Sequence, residues 1–347
     1  MDAQPDDDEG MDEVAMGTAV RRVRRWVARL AGVTALALLG TVLGAAGGLW
    51  ANDAGTPRAE AVTRGGDALW MGHAWVDGRK SQADVAALAA QLRGTGIHDL
   101  FVHAGPLAND GRLDPALDPR AAWLVRALHR AIPGVRVQAW LGDVVDTPEG
   151  PGMDLSRVDL VPASEQVLAD GFDGVHLDLE PVPSGDRGFL RVLAQVHALT
   201  SARGRVLSVS VPQTDPLPGL HEVAGLLTNH PKWWSSDYLH QVALRVDQVA
   251  VMAYDSALPL PSLFSGYVEQ QTRLALAAVP PGVDLLIGLP AYTESTMSHH
   301  GSAETVAAAV RGVRLADSGR RLFGVALYVD FTATPEDWAA YREGWVR

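Results

Sequence analysis

The stretch "GFDGVHLDLEPVP", residues 171–183, decides the fold. From Val175 onward, Val175, Leu177 and Leu179 alternate with His176, Asp178 and Glu180. Successive side chains of an extended strand point to opposite faces, rising about 3.3 Å per residue, so the three ionisable groups form a line on one face. A half-exposed antiparallel strand shows the same alternation. What surrounds the segment decides whether the line faces water or the protein interior.

Seven further short apolar runs flank it, at 68–75, 98–104, 135–142, 206–212, 248–254, 283–290 and 322–329. Segments of helical periodicity lie between them. The one beginning at Ser81 has an N-cap residue at its start and Gly94 and Gly96 at its end. Another opens with Pro119 and closes at Pro133-Gly134. Strands alternating with helices imply a parallel sheet, and eight such units over residues 67–347 fit an α/β fold of the (β/α)8 TIM-barrel type. A doubly wound open sheet is the alternative, and no Gly-x-Gly-x-x-Gly follows the first strand to support it. In a barrel neither face of the fourth strand meets bulk water. His176, Asp178 and Glu180 then project inward, with Glu180 at the C-terminal end, where barrel enzymes carry their chemistry. Buried carboxylates are costly unless paired or used, which makes the line a candidate site.

Three motifs then fall at the ends of the expected strands in order: Asp173-Gly174-x-His176-x-Asp178-x-Glu180, Met252-Ala253-Tyr254-Asp255 and Gly288-Leu289-Pro290-Ala291-Tyr292. Over about residues 67–347 the chain resembles glycoside hydrolase family 18, the chitinases and endo-N-acetylglucosaminidases. It departs from that family at His176, where the family has an inner Asp, and at Tyr328, where the family has a Trp beneath the sugar. The third-strand Ser-x-Gly-Gly is reduced to "AWLG".

The resemblance implies retaining, substrate-assisted cleavage of an N-acetylhexosamine-containing glycan, outside the usual two-carboxylate scheme. Glu180 is then the acid and later the base. Asp178 supports the acetamido group as it attacks, Tyr254 holds the acetamido oxygen, and Asp255 sits beside it. His176 is expected to donate to Asp178 and hold it as an anion. Asp173 is expected to orient backbone. Tyr292 and Tyr328, together with Trp75, Trp140, Asp143 and Gln213 from strand ends, are the candidate substrate contacts. Glu294 and Asp330 are alternative acids outside the motifs.

A metal-dependent barrel hydrolase would use His73 and His103 with the fourth-strand groups. The first strand, however, reads His73-Ala74-Trp75 without a paired His-x-His, so no metal or other cofactor is expected. His299-His300 reads as a solvated pair. Trp233-Trp234 reads equally as a sugar platform or as core beside a helix capped by Ser235, Ser236 or Asp237. A non-catalytic carbohydrate-binding protein on the same scaffold is the rival from another class.

The N-terminus is built differently. Residues 1–14 hold seven acids and no base, and Arg21, Arg22, Arg24, Arg25 and Arg29 follow. Residues 31–50 then contain no charge. About 20 apolar residues suffice to cross a bilayer as a helix, and basic residues before them favour a cytoplasmic N-terminus. The expected organisation is a tail over 1–30, a transmembrane helix over 31–50, a linker over 51–66 and an extracytoplasmic barrel over 67–347. The alternative is a cleaved signal, whose small-x-small site, Ala59-Glu60-Ala61, lies well beyond the apolar run.

Removing those seven acids and five arginines from the formal −12 leaves −10 for the remainder. An acidic domain is a poor partner for nucleic acid. The absence of cysteine excludes disulfides, thiolate metal sites and cysteine nucleophiles.

Overall fold

The computed structural model describes residues 9–148, 150–222 and 232–346. Residues 1–8, which hold most of the acidic tail, lie outside the described residues. Two compact units are present, residues 1–48 and 49–347.

The larger unit is a closed barrel of eight parallel strands. These are β1 (Asp67–Met71), β2 (Ile97–Pro106), β3 (Arg136–Val144), β4 (Gly174–Glu180), β5 (Val206–Val211), β6 (Gln248–Val251), β7 (Asp284–Pro290) and β8 (Phe323–Tyr328). Each pairs with the next, and β8 returns to β1 through Ala68–Ala326 and Leu69–Leu327. Helix α1 (Glu9–Asp53) precedes the barrel. Around it run α2 (Gln82–Leu92), α3 (Ala121–Ala131), α4 (Val161–Ala169), α5 (Arg187–Ala202), α6 (Ser236–Ala243), α7 (Pro261–Ala278), α8 (Val306–Ala316) and α9 (Pro335–Tyr341).

Local chemistry sets the helix starts. Ser81 and Asp84 form a reciprocal capping box at α2, and Thr334 and Asp337 repeat it at α9. Asp186 caps α5 through the Phe189 N–H, and Ser235 caps α6 through that of Tyr238.

The alternation in β4 sorts as a barrel requires. Val175, Leu177 and Leu179 are buried in the layer that also holds Phe189, Val192 and Val196 of α5. Each such side chain contributes about 1.5–3 kcal/mol by burial. The other face looks inward, where Ala68, Trp70, Phe101, Ala250, Leu286 and Ala326 form a separate apolar cluster. The His176 ring lies flat on Phe101, with centroids 3.8 Å apart.

A polar column continues from His176 toward the base of the barrel. Ser208 Oγ lies 2.7 Å from His176 Nδ1 and donates to Gln138 Oε1 at 2.7 Å. Gln138 Nε2 donates to Asp99 Oδ1 at 2.8 Å and to Gln248 Oε1 at 3.0 Å. Arg136 closes the column on Asp99, at 2.5 Å and 2.8 Å. Burial would raise the Asp99 carboxyl, but hydrogen bonds from His98, Arg136 and Gln138, with the Arg136 charge, hold it down at about 2.

Residues 51–66 are tied to the barrel: α1 continues to Asp53, which accepts from Arg311 at 2.7 Å. Arg314 bonds the Ala61 carbonyl at 2.8 Å, Arg64 pairs with Asp317 at 2.7 Å, and the Thr63 N–H donates to the Trp345 carbonyl at 3.0 Å. Barrel side chains thus satisfy the polar backbone of this segment. The first strand also ends sooner than its apolar run, because His73–Trp75 turns as a 3-10 helix.

In the N-terminal unit the helix is continuous through the apolar run. Gly32–Asp53, 22 residues of mean hydropathy 1.7, is long and apolar enough to cross a membrane.

Candidate active site

Register stacks the site in layers at the C-terminal mouth. His176 lies opposite Trp140 of β3, Asp178 opposite Gly142 and Glu180 opposite Val144. Gly142 makes room: a Cβ there would stand 3.0 Å from the Asp178 carbonyl oxygen. Above these layers opens a cleft of about 530 Å³, lined among others by Asp178, Glu180, Gln213, Tyr254, Asp255 and Tyr328.

Asp178 accepts from Trp140 Nε1 at 2.9 Å through Oδ2, while its Oδ1 is buried with no hydrogen-bond partner. Burial pushes its pKa up to about 6, against the Trp140 and Ser210 donors. Glu180, at the rim, is pushed to about 8 by loss of solvent and then by the charges of Asp178 and Asp255. Environment therefore orders the pair: Asp178 ionises first and Glu180 keeps its proton near neutrality.

Tyr254 forms the wall. Its ring stacks on Tyr328 at 5.5 Å and meets Tyr292 edge-on at 6.1 Å. Burial first, then the neighbouring tyrosines and carboxylates, raises its pKa well above the usual value, so its hydroxyl stays a donor. Gly288 explains its motif, because a Cβ there would stand 2.7 Å from the Tyr254 ring. Gln213 donates to the Tyr254 carbonyl. Asp255 follows with a left-handed backbone, φ 57°, and its Oδ1 accepts from the Tyr292 hydroxyl at 2.7 Å.

Asp173 lies below the site. It accepts from the Val137 N–H at 3.0 Å and from Arg205 at 2.8 Å, which ties β3 to β4.

Several expected residues stand elsewhere. His176 does not reach Asp178. Its Nε2 accepts from Trp70 Nε1 at 3.0 Å, and burial pushes its pKa down to about 3, so the ring is neutral. Ser210 Oγ, 2.9 Å from the same nitrogen, is the group between ring and carboxyl. Trp75 is buried off the cleft, donating to Asp330 Oδ2 at 2.6 Å, because the 3-10 turn carries it round. Asp143 pairs opposite Leu179, on the other parity from Asp178, and bonds the Val144 N–H at 2.8 Å.

The alternative acids fit poorly. Asp330 spends both oxygens on Gly72 N–H and Trp75, and Glu294 is not among the residues lining the cleft. His73 and His103 face each other, 3.4 Å between their Nδ1 atoms, apart from the β4 carboxylates in the contacts they make. Trp234 is core, bonded to the Val182 carbonyl at 2.7 Å, whereas half-buried Trp233 donates to the Tyr267 hydroxyl at 3.1 Å. His299 is not solvated but buried, stacked on Tyr292 at 4.2 Å.

Trp70, Ser208 and Ser210 escaped the sequence reading. The period-2 pattern of "LSVS" after Val206 was the only local signal for the two serines.

The sequence matches no protein-family model, and a search of curated proteins finds no match. Solved structures do match. A chitinase from Chromobacterium violaceum is similar at 18% identity and TM-score 0.54, over 82% of this chain and 99% of that one. The spore cortex-lytic enzyme SleL of Bacillus cereus is similar at 14% identity and TM-score 0.54, over 84% of this chain and 75% of that one. The Group IV chitinase of Ostrinia furnacalis follows at 15% identity and TM-score 0.52, over 81% and 99%. At these identities the likeness is one of fold, the closed (β/α)8 barrel.

Proposed function

We propose that this chain is a divergent family-18-like glycoside hydrolase that cleaves an N-acetylhexosamine-containing glycan by a retaining, substrate-assisted route. One arrangement carries the reading: Glu180, an acid whose pKa its surroundings raise to about 8, stands at the mouth of an open cleft beside Asp178, whose Oδ1 has no hydrogen-bond partner.

Glu180 donates its proton to the glycosidic oxygen as that oxygen leaves the anomeric carbon. The substrate's acetamido oxygen attacks the same carbon, forming an oxazolinium ring. Asp178 Oδ1 accepts the acetamido N–H and, ionised, opposes the ring's positive charge. Tyr254 donates to the acetamido oxygen. The Glu180 carboxylate then takes a proton from water, which opens the ring at the anomeric carbon and restores the acid. Tyr328 and Trp140 supply apolar surface for the sugar. No second carboxylate nucleophile is needed, and no step uses a metal.

The domain arrangement belongs to the same reading. The uncharged run over 31–50 would hold the chain in a membrane, with the arginines before it in the cytoplasm and the barrel outside. Length and composition of the helix support this anchoring.

The test is a screen of the full chain, purified in detergent, against chitin fragments, peptidoglycan and N-glycans, beside Glu180→Gln. A substrate cleaved by wild type and spared by the variant, with the β-anomer retained from a β-linked glycan, supports the reading. Binding without turnover in either protein would replace it with a carbohydrate-binding role.

A further inference from the structure

We propose that Asp255, His299 and Glu304 form a divalent-cation site at the edge of the cleft, with zinc the ion best suited to its donors. Asp255 follows β6, and the other two lie in the loop between β7 and α8. His299 Nδ1 stands 3.1 Å from Asp255 Oδ1 and 3.4 Å from Glu304 Oε2. One ligand atom from each residue falls within 4.8 Å of the others, the only such group among the described residues.

The separations suit an ion better than direct pairing. Donor atoms around a tetrahedral zinc, at about 2.0–2.1 Å from the metal, stand roughly 3.3 Å from one another. The His299 ring is 1% exposed, yet neither of its nitrogens has a hydrogen-bond partner, so both carboxylate oxygens lie off the directions such a bond needs. A buried ring nitrogen aimed between two carboxylates and bonded to neither is a ligand atom in waiting.

The surroundings hold the donors in place. Glu304 is fully buried, its Oε2 accepting from Ser256 N–H at 3.1 Å and its Oε1 from His300 N–H at 3.3 Å. The Tyr292 hydroxyl fixes Asp255 and the Tyr292 ring fixes His299. Such second contacts are what orient metal ligands. Two carboxylates, buried Glu304 and half-exposed Asp255, face one imidazole, while Lys232, which bonds the Asp255 carbonyl at 3.2 Å, supplies a positive charge nearby. Asp255 faces the cleft, which leaves a side from which water can complete the coordination.

The ion would pin the β7–α8 loop to the end of β6 and set Asp255 beside the cleft. It takes no part in the proton transfers, so its presence and the glycosidase reading stand or fall separately.

The experiment uses the full chain in detergent, stripped with chelator, dialysed and titrated calorimetrically with zinc, manganese and calcium chlorides. One equivalent of zinc per chain is expected, with affinity at least ~10-fold weaker in Glu304→Gln and in Asp255→Asn. His129→Gln, which removes a surface histidine paired with Asp173, should leave it unchanged. Cobalt in place of zinc should show visible absorption bands that Glu304→Gln lacks. No binding of any of the three ions, or equal affinity in wild type and in whichever carboxylate variants fold, would overturn the proposal.

Discussion

Trp70 donates its indole N–H to Nε2 of His176 at 3.0 Å, across the interior of the barrel. That bond settles the tautomer. With Nε2 accepting, the neutral ring carries its proton on Nδ1 and gives it to Ser208 Oγ, 2.7 Å away. The histidine that takes the place of an inner acid is therefore a neutral link in a polar column, with Ser210 Oγ 2.9 Å from its Nε2.

Trp70→Phe should leave Nε2 short of its donor. We expect a loss of about 1–3 kcal/mol in urea unfolding. The His176 pKa, lowered to about 3 by burial, should stay far below its ordinary 6.5, read from imidazole resonances. The sign is fixed by linkage: below pH 6.5 the unfolded chain takes a proton that the buried ring refuses, so His176 costs stability as pH falls from 6.5 to about 3. His176→Asn should lose less over that window, and a His176 pKa near 6.5 in Trp70→Phe would show that the bond, not burial, holds the ring neutral.

Glu180→Gln keeps the shape of the acid and removes its transferable proton. Turnover should fall ~10²–10⁴-fold or more while glycan binding persists. Equal turnover in the two proteins would rule out Glu180 as the acid.

The pH profile should be bell-shaped. Activity needs Asp178 ionised and Glu180 protonated, so it rises as pH passes about 6 and falls as pH passes about 8. Because the two groups titrate as a pair, kcat/KM reports the limits of the pair. An alkaline limb near the ordinary carboxylate range would contradict the crowding of Glu180.

At the base of the barrel, Asp99→Ala should cost about 3–5 kcal/mol, since it strands Arg136 and two buried amides. In wild type the Asp99 contribution is full above pH 3.8 and lost as pH falls through about 2. Denaturant unfolding across that range checks both statements; a cost under 1 kcal/mol would make the column dispensable.

Protease added to intact spheroplasts should remove the barrel if residues 51–347 lie outside the membrane. Protection alongside a cytoplasmic control would reverse the orientation.

The barrel was readable because its signals are short-range: eight apolar runs, helix caps such as Ser81, and the alternation in β4. The three motifs likewise sit at strand ends, and the residues that the resemblance marked, Asp178, Glu180, Tyr254 and Asp255, line one cleft. Long-range pairing stayed hidden. Nothing near Trp70 indicates that it meets a residue 106 positions away, and nothing in "STMSHHGS" shows that His299 turns inward while Met297 stays out. Trp75 and Asp143 failed for a simpler reason, a 3-10 turn in one case and strand parity in the other. The segment over 51–66 has loop composition, and only the facing side chains of α8 and its neighbours show it to be bound.

The bond from Trp140 to Asp178 also makes the site its own optical probe. An indole whose N–H lies 2.9 Å from a carboxyl oxygen senses any change of charge on that oxygen in its excited state. Protonation of Asp178, or a sugar laid against the ring, would therefore alter the emission of this one fluorophore, and Trp140→Phe would isolate its signal from those of the other indoles. The Asp178 ionisation that the proposed mechanism needs could then be followed in the resting protein, without substrate.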